Sequence, residues 1–582
     1  MAAILVLLTI GLPWIGALFV LLTGNERPKL QHAIASIFSV SAGISAIALL
    51  WFTSDQSVLS IPMGSVFGVF TFVPDALGVL LAVIANTVGS LAVIFSIDYM
   101  KGNEQLGRYY ALVMFFIGAM AGLGISGSLL LMFLFWEITA FCSYALISFH
   151  NDDPKAVAAG IKALIITQLG GIGLLVGALI INSYVGSYQI STFLARADGL
   201  PFNILTLLAF CFLAAAIAKS AQVPLHTWLP DAMEAPTPVS ALIHAATMVN
   251  AGVYLVARFF PAFEVVPGWT TSVLTVGMLS ALLGALMALV AADLKRVLAY
   301  STISQLGYMF FAVGVGAAFA SQFHLLSHAI FKALLFLCAG AVIPAVGTRD
   351  MRQMGGLRKT MPFVFTVFAI GSLALVGLPI ANGFFSKELI LEEGFRHGPE
   401  WAYFGMLLGV GLTALYVSRM VFMVFYGERK GKEPIHDALF WMRVSLASLS
   451  MGVFTTWLLA GVLSDLMVQT LPFHGVHVIG AFELAKEIAL APATWVSIAV
   501  IVLGIEIWVL RKHLSGIKTS LRPVTRLLES GLGFEHLNRG LINVTKNIST
   551  ALHLTQTGQL NWNILGIVGM LSVLLALVLI GV

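Results

Sequence analysis

Apolar runs of about twenty residues recur from one end of the chain to the other, and short polar connections separate them. A run of this length is what an α-helix needs to cross the hydrocarbon core of a bilayer. The pattern therefore predicts an all-α, polytopic membrane protein with about sixteen transmembrane helices. Their predicted limits are 2–23, 31–53, 76–97, 109–125, 127–149, 161–182, 203–220, 237–260, 269–291, 297–317, 323–347, 361–382, 402–426, 442–466, 493–511 and 561–582.

Composition supports this prediction and limits the chemistry. Of the 582 residues, 59% are hydrophobic and only 10% are charged, whereas soluble domains carry roughly 25% charged residues. The run 2–23 has no basic segment before it, so we interpret it as the first helix rather than as a cleaved signal. Cys142, Cys211 and Cys338 lie in apolar runs without metal-ligand spacing, and no dinucleotide or haem motif occurs. We expect no metal, no disulfide, no cofactor and no catalytic site of the chain's own.

The basic residues of the connections predict the orientation. Cytoplasmic loops carry the excess of Lys and Arg, and here the charges fall in alternate connections. This places the protein in the cell inner (cytoplasmic) membrane, with both termini on the non-cytoplasmic side, and it explains the net charge of +4 without a nucleic-acid partner. The residues concerned are Arg27, Lys29, Lys101, Arg108, Lys155, Lys295, Arg296, Arg349, Arg352, Arg358, Lys359, Arg429, Lys430 and Lys432.

The connection 512–560 differs from the others because it is long and has apolar residues at helical intervals. Such a pattern is typical of an amphipathic segment that lies along the membrane surface. A disordered cytoplasmic linker is the alternative, and the periodicity disfavours it. The apolar positions are Leu521, Leu527, Leu528, Leu532, Phe534, Leu537, Leu541 and Val544.

A few ionisable residues interrupt the predicted spans, and a charge in hydrocarbon costs about 2.5 kcal/mol or more. They are Glu137, Lys219, His244, His324, His328, Lys332 and Lys387. The spacing of four between His324, His328 and Lys332 stacks these three side chains on one face of a helix. Each group alone could simply bond a backbone carbonyl of a neighbouring helix. Three titratable groups on one stripe, together with Glu137 and Lys219, instead favour a line of proton exchange.

Two spans carry helix-breaking signals beside a lysine. Pro224 follows Lys219 by a turn, and Pro379 precedes Lys387. Paired interruptions of this kind are typical of inverted repeats with broken helices near an ion path, although a packing kink would explain either one alone. The predicted organisation is 1–108 for the N-terminal helices, 109–260 and 261–426 for two inverted repeats, 427–511 for the C-terminal helices, 512–560 for the lateral segment and 561–582 for the final span.

Three segments make the chain recognisable: KSAQVPLHTWLPDAMEAPTPVSALIHAATMVNAGVYLVAR, DLKRVLAYSTISQLGYMF and FHLLSHAIFKALLFLCAGAVI. They resemble the antiporter-like subunits shared by respiratory complex I, energy-converting hydrogenases and Mrp-type cation/proton antiporters, and the resemblance extends over essentially the whole chain. It implies a proton pathway with a Glu–Lys pair, a first half-channel, a central connecting group and a terminal lysine. In this resemblance the Glu–Lys pair corresponds to Glu137 and Lys219, and His244 lines the first half-channel. The central connecting group corresponds to His324, His328 and Lys332, and the terminal lysine is Lys387.

Within the family, the lateral segment looks like that of the distal complex I subunit or of the large Mrp subunit. Gln168 and Gly171 are similar to the Mrp form, whereas the chain ends after its sixteenth predicted span, before the further domains that usually follow in the large Mrp subunit. Asn250 and Pro344 stand where many relatives have lysine and histidine. The parent complex stays open at this point.

Two classes of function follow from the resemblance. The first is an ion-translocating subunit among other integral membrane subunits, moving protons, and Na⁺ where cation exchange is the drive. The alternative is a proton-conducting partner of an inorganic-carbon uptake complex with a soluble cytoplasmic zinc protein. A self-contained transporter is weaker, because the ionisable groups form an axis rather than a cluster.

Overall fold

The computed structural model describes residues 1–53, 59–430, 435–472, 474–513, 522–529 and 531–555. Within these ranges the protein is an all-helical bundle with one β-hairpin, and fourteen helices are long and apolar enough to cross a membrane. The polytopic all-α fold is thereby confirmed, but the predicted count of sixteen is not. The predicted span 361–382 is interrupted in the structure, and the predicted span 561–582 lies outside the described residues.

The N-terminal part contributes three long helices and the hairpin. The strands pair antiparallel, with Leu59 opposite Phe72. The Asp75 carboxylate caps the third long helix by accepting a hydrogen bond from the Gly78 N–H at 2.9 Å. The elements are α1 (Ala2–Thr23), α2 (Pro28–Leu49), β1 (Leu59–Pro62), α3 (Gly64–Phe67), β2 (Val69–Phe72) and α4 (Ala76–Tyr99).

Five spans follow, of which the fourth is broken. It ends as a helix at Lys219, and the chain then makes turns before helical structure resumes at Trp228. The fifth span contains a π-helical turn over Leu242–Ala246. The helices are α5 (Leu106–Ile125), α6 (Leu129–Ile147), α7 (Pro154–Val185), α8 (Ile190–Arg196), α9 (Phe202–Lys219), α10 (Trp228–Asp231), α11 (Thr237–Ala241) and α12 (Asn250–Phe263).

The next five spans repeat this order, again with the fourth one broken. In both runs of five spans, therefore, the fourth span contains an unwound segment. The helices are α13 (Trp269–Val290), α14 (Leu294–Gly314), α15 (Ala318–Val346), α16 (Leu357–Thr360), α17 (Pro362–Val376), α18 (Asn382–His397) and α19 (Glu400–Phe425).

The C-terminal helices pack beside the second run. A 3₁₀ turn at Thr456–Leu459 joins the first two of them into one long span. These helices are α20 (Phe440–Thr455), α21 (Ala460–Thr470), α22 (Ala481–Leu490) and α23 (Pro492–Val509), followed by α24 (Arg522–Glu529).

The chain divides into two compact units, Met1–Gly531 and Leu532–Val582. The described part of the second unit contains the helix α25 (Phe534–Thr555). Its apolar side chains recur at intervals of three and four residues, so the helical periodicity predicted for the lateral segment corresponds to a helix over Phe534–Thr555. The predicted apolar position Leu521 lies outside the described residues. The side chains of this stripe are Leu537, Leu541, Val544, Ile548 and Leu552.

The connections rich in Lys and Arg meet at one end of the first unit, which we call the basic end. There Asp231 accepts hydrogen bonds from Lys162 at 2.8 Å and from Arg296 at 2.7 Å. Arg349 bonds Glu234 at 3.0 Å and lies 3.2 Å from Asp293. These ion pairs join the loop after the first broken helix to the two connections that flank α14 and α15.

Candidate functional site: a buried axis of ionisable groups

The first interruption buries Lys219 at the end of α9. The side chain is 0% exposed, and its Nζ donates a hydrogen bond to the carbonyl oxygen of Trp136 on α6 at 2.9 Å. The same Nζ lies 4.9 Å from the centroid of the Trp136 ring. A carbonyl dipole and an aromatic face are thus the direct partners of this buried amine, and both are groups that attract a cation.

Glu137 follows Trp136 and lies close to this lysine. Its Oε1 atom is buried and has no hydrogen-bond partner among the described residues. A Cβ atom at Gly171 of α7 would lie only 2.7 Å from Oε1, so any side chain at this position would require the carboxylate to move. Lys219 and Glu137 attract one another, yet Lys219 bonds the neighbouring carbonyl rather than the carboxylate.

His244 lies in the π-helical turn within the fifth span. It is 0% exposed, and neither ring nitrogen has a hydrogen-bond partner in the described chain. The ring stands between Trp228 and Phe336, with centroid distances of 6.3 and 6.0 Å. Asn250 donates to the Ala245 carbonyl at 3.0 Å and so occupies one carbonyl of the widened turn. Wide turns of this kind are frequent at functional sites, and this one turns a histidine toward α15.

Helix α15 carries the three groups that the sequence placed on one stripe. His324 links three helices, because its Nδ1 lies 2.9 Å from Ser386 Oγ on α18 and its Nε2 lies 3.1 Å from Gln305 Oε1 on α14. The rings of His324 and His328 are 6.5 Å apart. Neither ring nitrogen of His328 has a hydrogen-bond partner in the part of the chain that the structure describes. His324, at one end of the stripe, is therefore hydrogen-bonded to neighbouring helices, whereas His328, in its middle, has no such hydrogen bond among the described residues.

Lys332 closes the other end of the stripe. Its Nζ donates to the Ser301 hydroxyl and, at 3.2 Å, to the Leu298 carbonyl, both on α14. The side chain is 0% exposed, as are His324 and His328. Helix α14 thus supplies the oxygen atoms around Lys332. The Asp293 carboxylate caps the N-terminus of this helix.

Lys387 lies beside the second helix break in the way that Lys219 lies beside the first: each lysine is buried and donates a hydrogen bond to a backbone carbonyl. Helix α17 ends at Val376, and α18 begins at Asn382 after Gly377 and Ile380 take left-handed φ values of 90° and 82°. Lys387 Nζ donates to the carbonyl of Val376 at 3.1 Å, and the side chain is 0% exposed. The same Nζ lies 5.2 Å from the centroid of the Tyr308 ring.

The structure thus brings the predicted site residues onto one route through the bundle. Lys219, His244, His324, His328, Lys332 and Lys387 are all 0% exposed, whereas Glu137 is only partly buried. The route passes from the first broken helix through the π-helical turn to α15 and then to the second broken helix. A line of fully buried titratable groups is chemically suited to proton transfer, since each group can exist in two charge states.

Comparison with known proteins identifies the family to which the chain is related. Residues 126–415 match the family described as "NADH:quinone oxidoreductase/Mrp antiporter, TM", and residues 61–110 match "NADH-Ubiquinone oxidoreductase (complex I), chain 5 N-terminus". NADH-quinone oxidoreductase subunit L of Escherichia coli is 41% identical over 447 residues, which cover 74% of this chain and 72% of that relative. The chain belongs to this antiporter-like family.

Two further proteins show how much of the family this antiporter-like chain spans. NAD(P)H-quinone oxidoreductase chain 5 of Synechocystis sp. is 42% identical over 450 residues, covering 72% of this chain and 66% of the relative. A chain of the Mrp complex from Dietzia sp. is 28% identical with a TM-score of 0.81, and the match covers 100% of this chain but 63% of that one. The matches therefore span about two thirds of these relatives.

Several residues of the antiporter-like chain are not predicted by its sequence. Gln305, Ser301 and Ser386 supply the oxygen atoms around the α15 stripe, and as neutral residues they give no charge signal. Lys295 is 3% exposed and donates to the carbonyls of Met233 at 2.8 Å and Ala235 at 2.6 Å. The sequence pattern presents it as a loop charge, whereas the structure buries it at the start of α14 as part of the basic end.

Arg258 and Asp75 form a second unpredicted group. Arg258 donates from Nη2 to Asp75 Oδ1 at 2.7 Å and from Nη1 to Oδ2, and the two residues are 5% and 8% exposed. The Tyr254 hydroxyl accepts from Arg258 Nε at 3.2 Å and donates to the Gly124 carbonyl at 2.8 Å. An arginine within the apolar run YLVARFF is the signal that the sequence offers for it.

Proposed function

We propose that the chain is a proton-translocating, antiporter-like subunit of a multisubunit membrane complex. Partner membrane subunits supply the drive, either by redox chemistry or by exchange against a cation such as Na⁺. The observation that carries this proposal is the series of buried ionisable groups between two interrupted helices. The family match supports it, since the relatives named above are subunits of quinone oxidoreductases and the related structure is that of an Mrp complex. These matches favour it over a partner of an inorganic-carbon uptake complex.

Protons would move along the axis by exchange between neighbouring groups. Groups four residues apart on α15 lie about 6 Å from each other along the helix, a span that one or two water molecules can bridge. A positive charge on His324 repels the ammonium of Lys387, and His324 is hydrogen-bonded to Ser386, the residue that precedes Lys387. Arrival of a proton at His324 therefore favours release from Lys387, which acts as the terminal group.

The two runs of five spans serve as two half-channels in this proposal. The first corresponds to the predicted repeat 109–260, with its opening near Pro224, and the second to 261–426, with its opening near Pro379. Glu137 and Lys219 form the charge pair of the first half-channel, and His244 lines it. The matched position of the broken span in each run supports an inverted-repeat origin.

The basic end faces the cytoplasm in this proposal, and both termini lie on the other side of the inner membrane. The excess of Lys and Arg in alternate connections supports this orientation. The lateral segment 512–560 lies along the membrane surface and contacts neighbouring subunits, which its apolar periodicity supports.

Substitution of the axis residues in the native complex tests the function. Glu137→Gln, Lys219→Ala, Lys332→Ala and Lys387→Ala should each lower proton translocation by roughly tenfold or more, because each removes a titratable group from the axis. Translocation is measured as acidification of membrane vesicles with a pH-sensitive dye, per amount of assembled complex on native gels.

Lys387→Arg separates proton release from simple electrostatics. Arginine keeps the positive charge but does not release its proton, so this variant should be as slow as Lys387→Ala. Wild-type translocation in Lys387→Arg would refute proton release at this residue. Wild-type translocation in both Glu137→Gln and Lys219→Ala would remove the pair from the pathway.

A further inference from the structure

Helix α18 carries a second row of charged side chains beyond Lys387. Glu388, Glu392 and Arg396 follow at intervals of four residues, which places them on one face of the helix. This face packs toward α22 and α23 of the C-terminal helices. It leads from the midplane lysine toward the end of α18 that lies away from the basic end.

Glu388 is held by a hydroxyl from the neighbouring span. The Ser497 hydroxyl of α23 donates to Glu388 Oε1 at 2.7 Å, and both residues are 0% exposed. Glu388 Oε2 has no hydrogen-bond partner among the described residues. A buried carboxylate oxygen without a hydrogen-bond partner is costly to keep, and a proton or a water molecule bound at this oxygen would relieve that cost.

Glu392 continues the row to the surface. It is 8% exposed, its Oε1 accepts a hydrogen bond from Arg396 Nε at 2.7 Å, and its Oε2 has no hydrogen-bond partner in the described chain. The Arg396 side chain is 54% exposed and lines a cavity of about 590 Å³. The row therefore reaches from a fully buried carboxylate to an open, polar cavity.

We propose that protons released at Lys387 leave the bundle along the face formed by Glu388 and Glu392, with Ser497 as the positioning residue that orients Glu388. This inference rests on the proposed proton-translocating function. In the first step an N–H bond of the Lys387 ammonium breaks and, through intervening water, an O–H bond forms on Glu388, so that both side chains become neutral. In the second step Glu388 loses that proton through water to the Glu392 carboxylate, and Glu392 then passes it to water beside Arg396, which lines the cavity.

The distances and charges fit such a route. Glu388 and Glu392 are about 6 Å apart along the helix, which one or two water molecules bridge. Lys387 and Glu388 attract one another, whereas a positive charge on His324 repels the lysine, so a proton arriving at His324 favours transfer away from Lys387. The phenol side chains of Tyr308 and Tyr403 also lie near Glu388, in addition to Ser497, Lys387 and Glu392.

Substitutions at Ser497 test the positioning role in the complete complex. Ser497→Thr keeps the hydroxyl, whereas Ser497→Val has the shape of threonine without it. We expect Ser497→Thr to translocate protons within about twofold of wild type and Ser497→Val to be slower by roughly tenfold, because only the latter leaves Glu388 without a donor. Equal rates in the two variants would overturn the role of the hydroxyl, since a packing role would affect both alike.

Substitutions of the carboxylates test the route itself. Glu392→Gln should slow translocation by roughly tenfold. The matched control is Glu400→Gln, the same change at an exposed carboxylate in the first turn of α19, away from the lining of the cavity, which should leave the rate unchanged. A wild-type rate in Glu392→Gln together with a slow Lys387→Ala would refute this exit route alone. Wild-type rates in both variants would refute the proposed function as well.

Discussion

At the scale of single residues, Arg258 and Asp75 form an ion pair away from the axis in which both partners are buried. It joins the start of α4 to α12 across 183 positions of sequence. Removing one partner leaves the other as an uncompensated buried charge, which costs about 3–5 kcal/mol. Arg258→Ala should therefore lower the free energy of unfolding by about that amount, measured by thermal and denaturant unfolding of the purified protein in detergent.

Arg352→Ala is the matched control for that prediction. Arg352 pairs with Asp350 at 2.8 Å at the basic end, but its side chain is 69% exposed. Its hydrogen bonds hold the pKa of the Asp350 carboxyl below its ordinary value. Such an exposed pair contributes about 1 kcal/mol or less, so this variant should unfold almost like wild type. Similar losses in the two variants would contradict the importance of the buried pair.

At the scale of elements, the second broken span depends on a close contact between its two halves. A Cβ atom at Gly383 of α18 would overlap the carbonyl oxygen of Ala374 in α17, so any side chain must push the two helices apart. Lys387 bonds the last residue of α17 and would lose that geometry. Gly383→Ala should destabilise the protein by about 1–3 kcal/mol and slow proton translocation, measured by unfolding and by vesicle acidification.

Gly11 provides the control, because it is also a glycine within a long span. An added Cβ there would meet nothing within 4 Å. Gly11→Ala should change stability by no more than about 1 kcal/mol and leave translocation at the wild-type rate. If Gly383→Ala behaves like Gly11→Ala, the contact between α17 and α18 does not fix the position of Lys387.

At the scale of the whole molecule, the lateral segment should matter for assembly rather than for conduction. The helix Phe534–Thr555 carries an apolar stripe whose residues Leu537 and Val544 are 52% and 57% exposed. Such a stripe gains free energy from a partner surface or from lipid. Deleting residues 515–555 and joining the flanking segments should release partner subunits on native gels. Complexes that stay intact after this deletion would show that the segment is dispensable.

Sequence alone determined the membrane architecture and most of the ionisable residues. Lipid offers no hydrogen bonds to the backbone, so each crossing requires a long apolar helix that hydropathy detects directly. A charge within such a run is costly, and for this reason Lys219, Lys332 and Lys387 stand out in the sequence itself. The breaks near Pro224 and Pro379 are likewise visible there, because proline and glycine act on the local backbone.

Only the tertiary structure decided which atoms these residues meet. Lys219 bonds the Trp136 carbonyl instead of the Glu137 carboxylate, and Lys332 bonds Ser301, whose neutral side chain gives no sign of its role. The pairing of Glu388 with Ser497 joins residues 109 positions apart on separate spans. Hydropathy and helical periodicity are properties of one segment, whereas the choice of a hydrogen-bond partner depends on how two distant helices pack, and this is the physical reason for the difference.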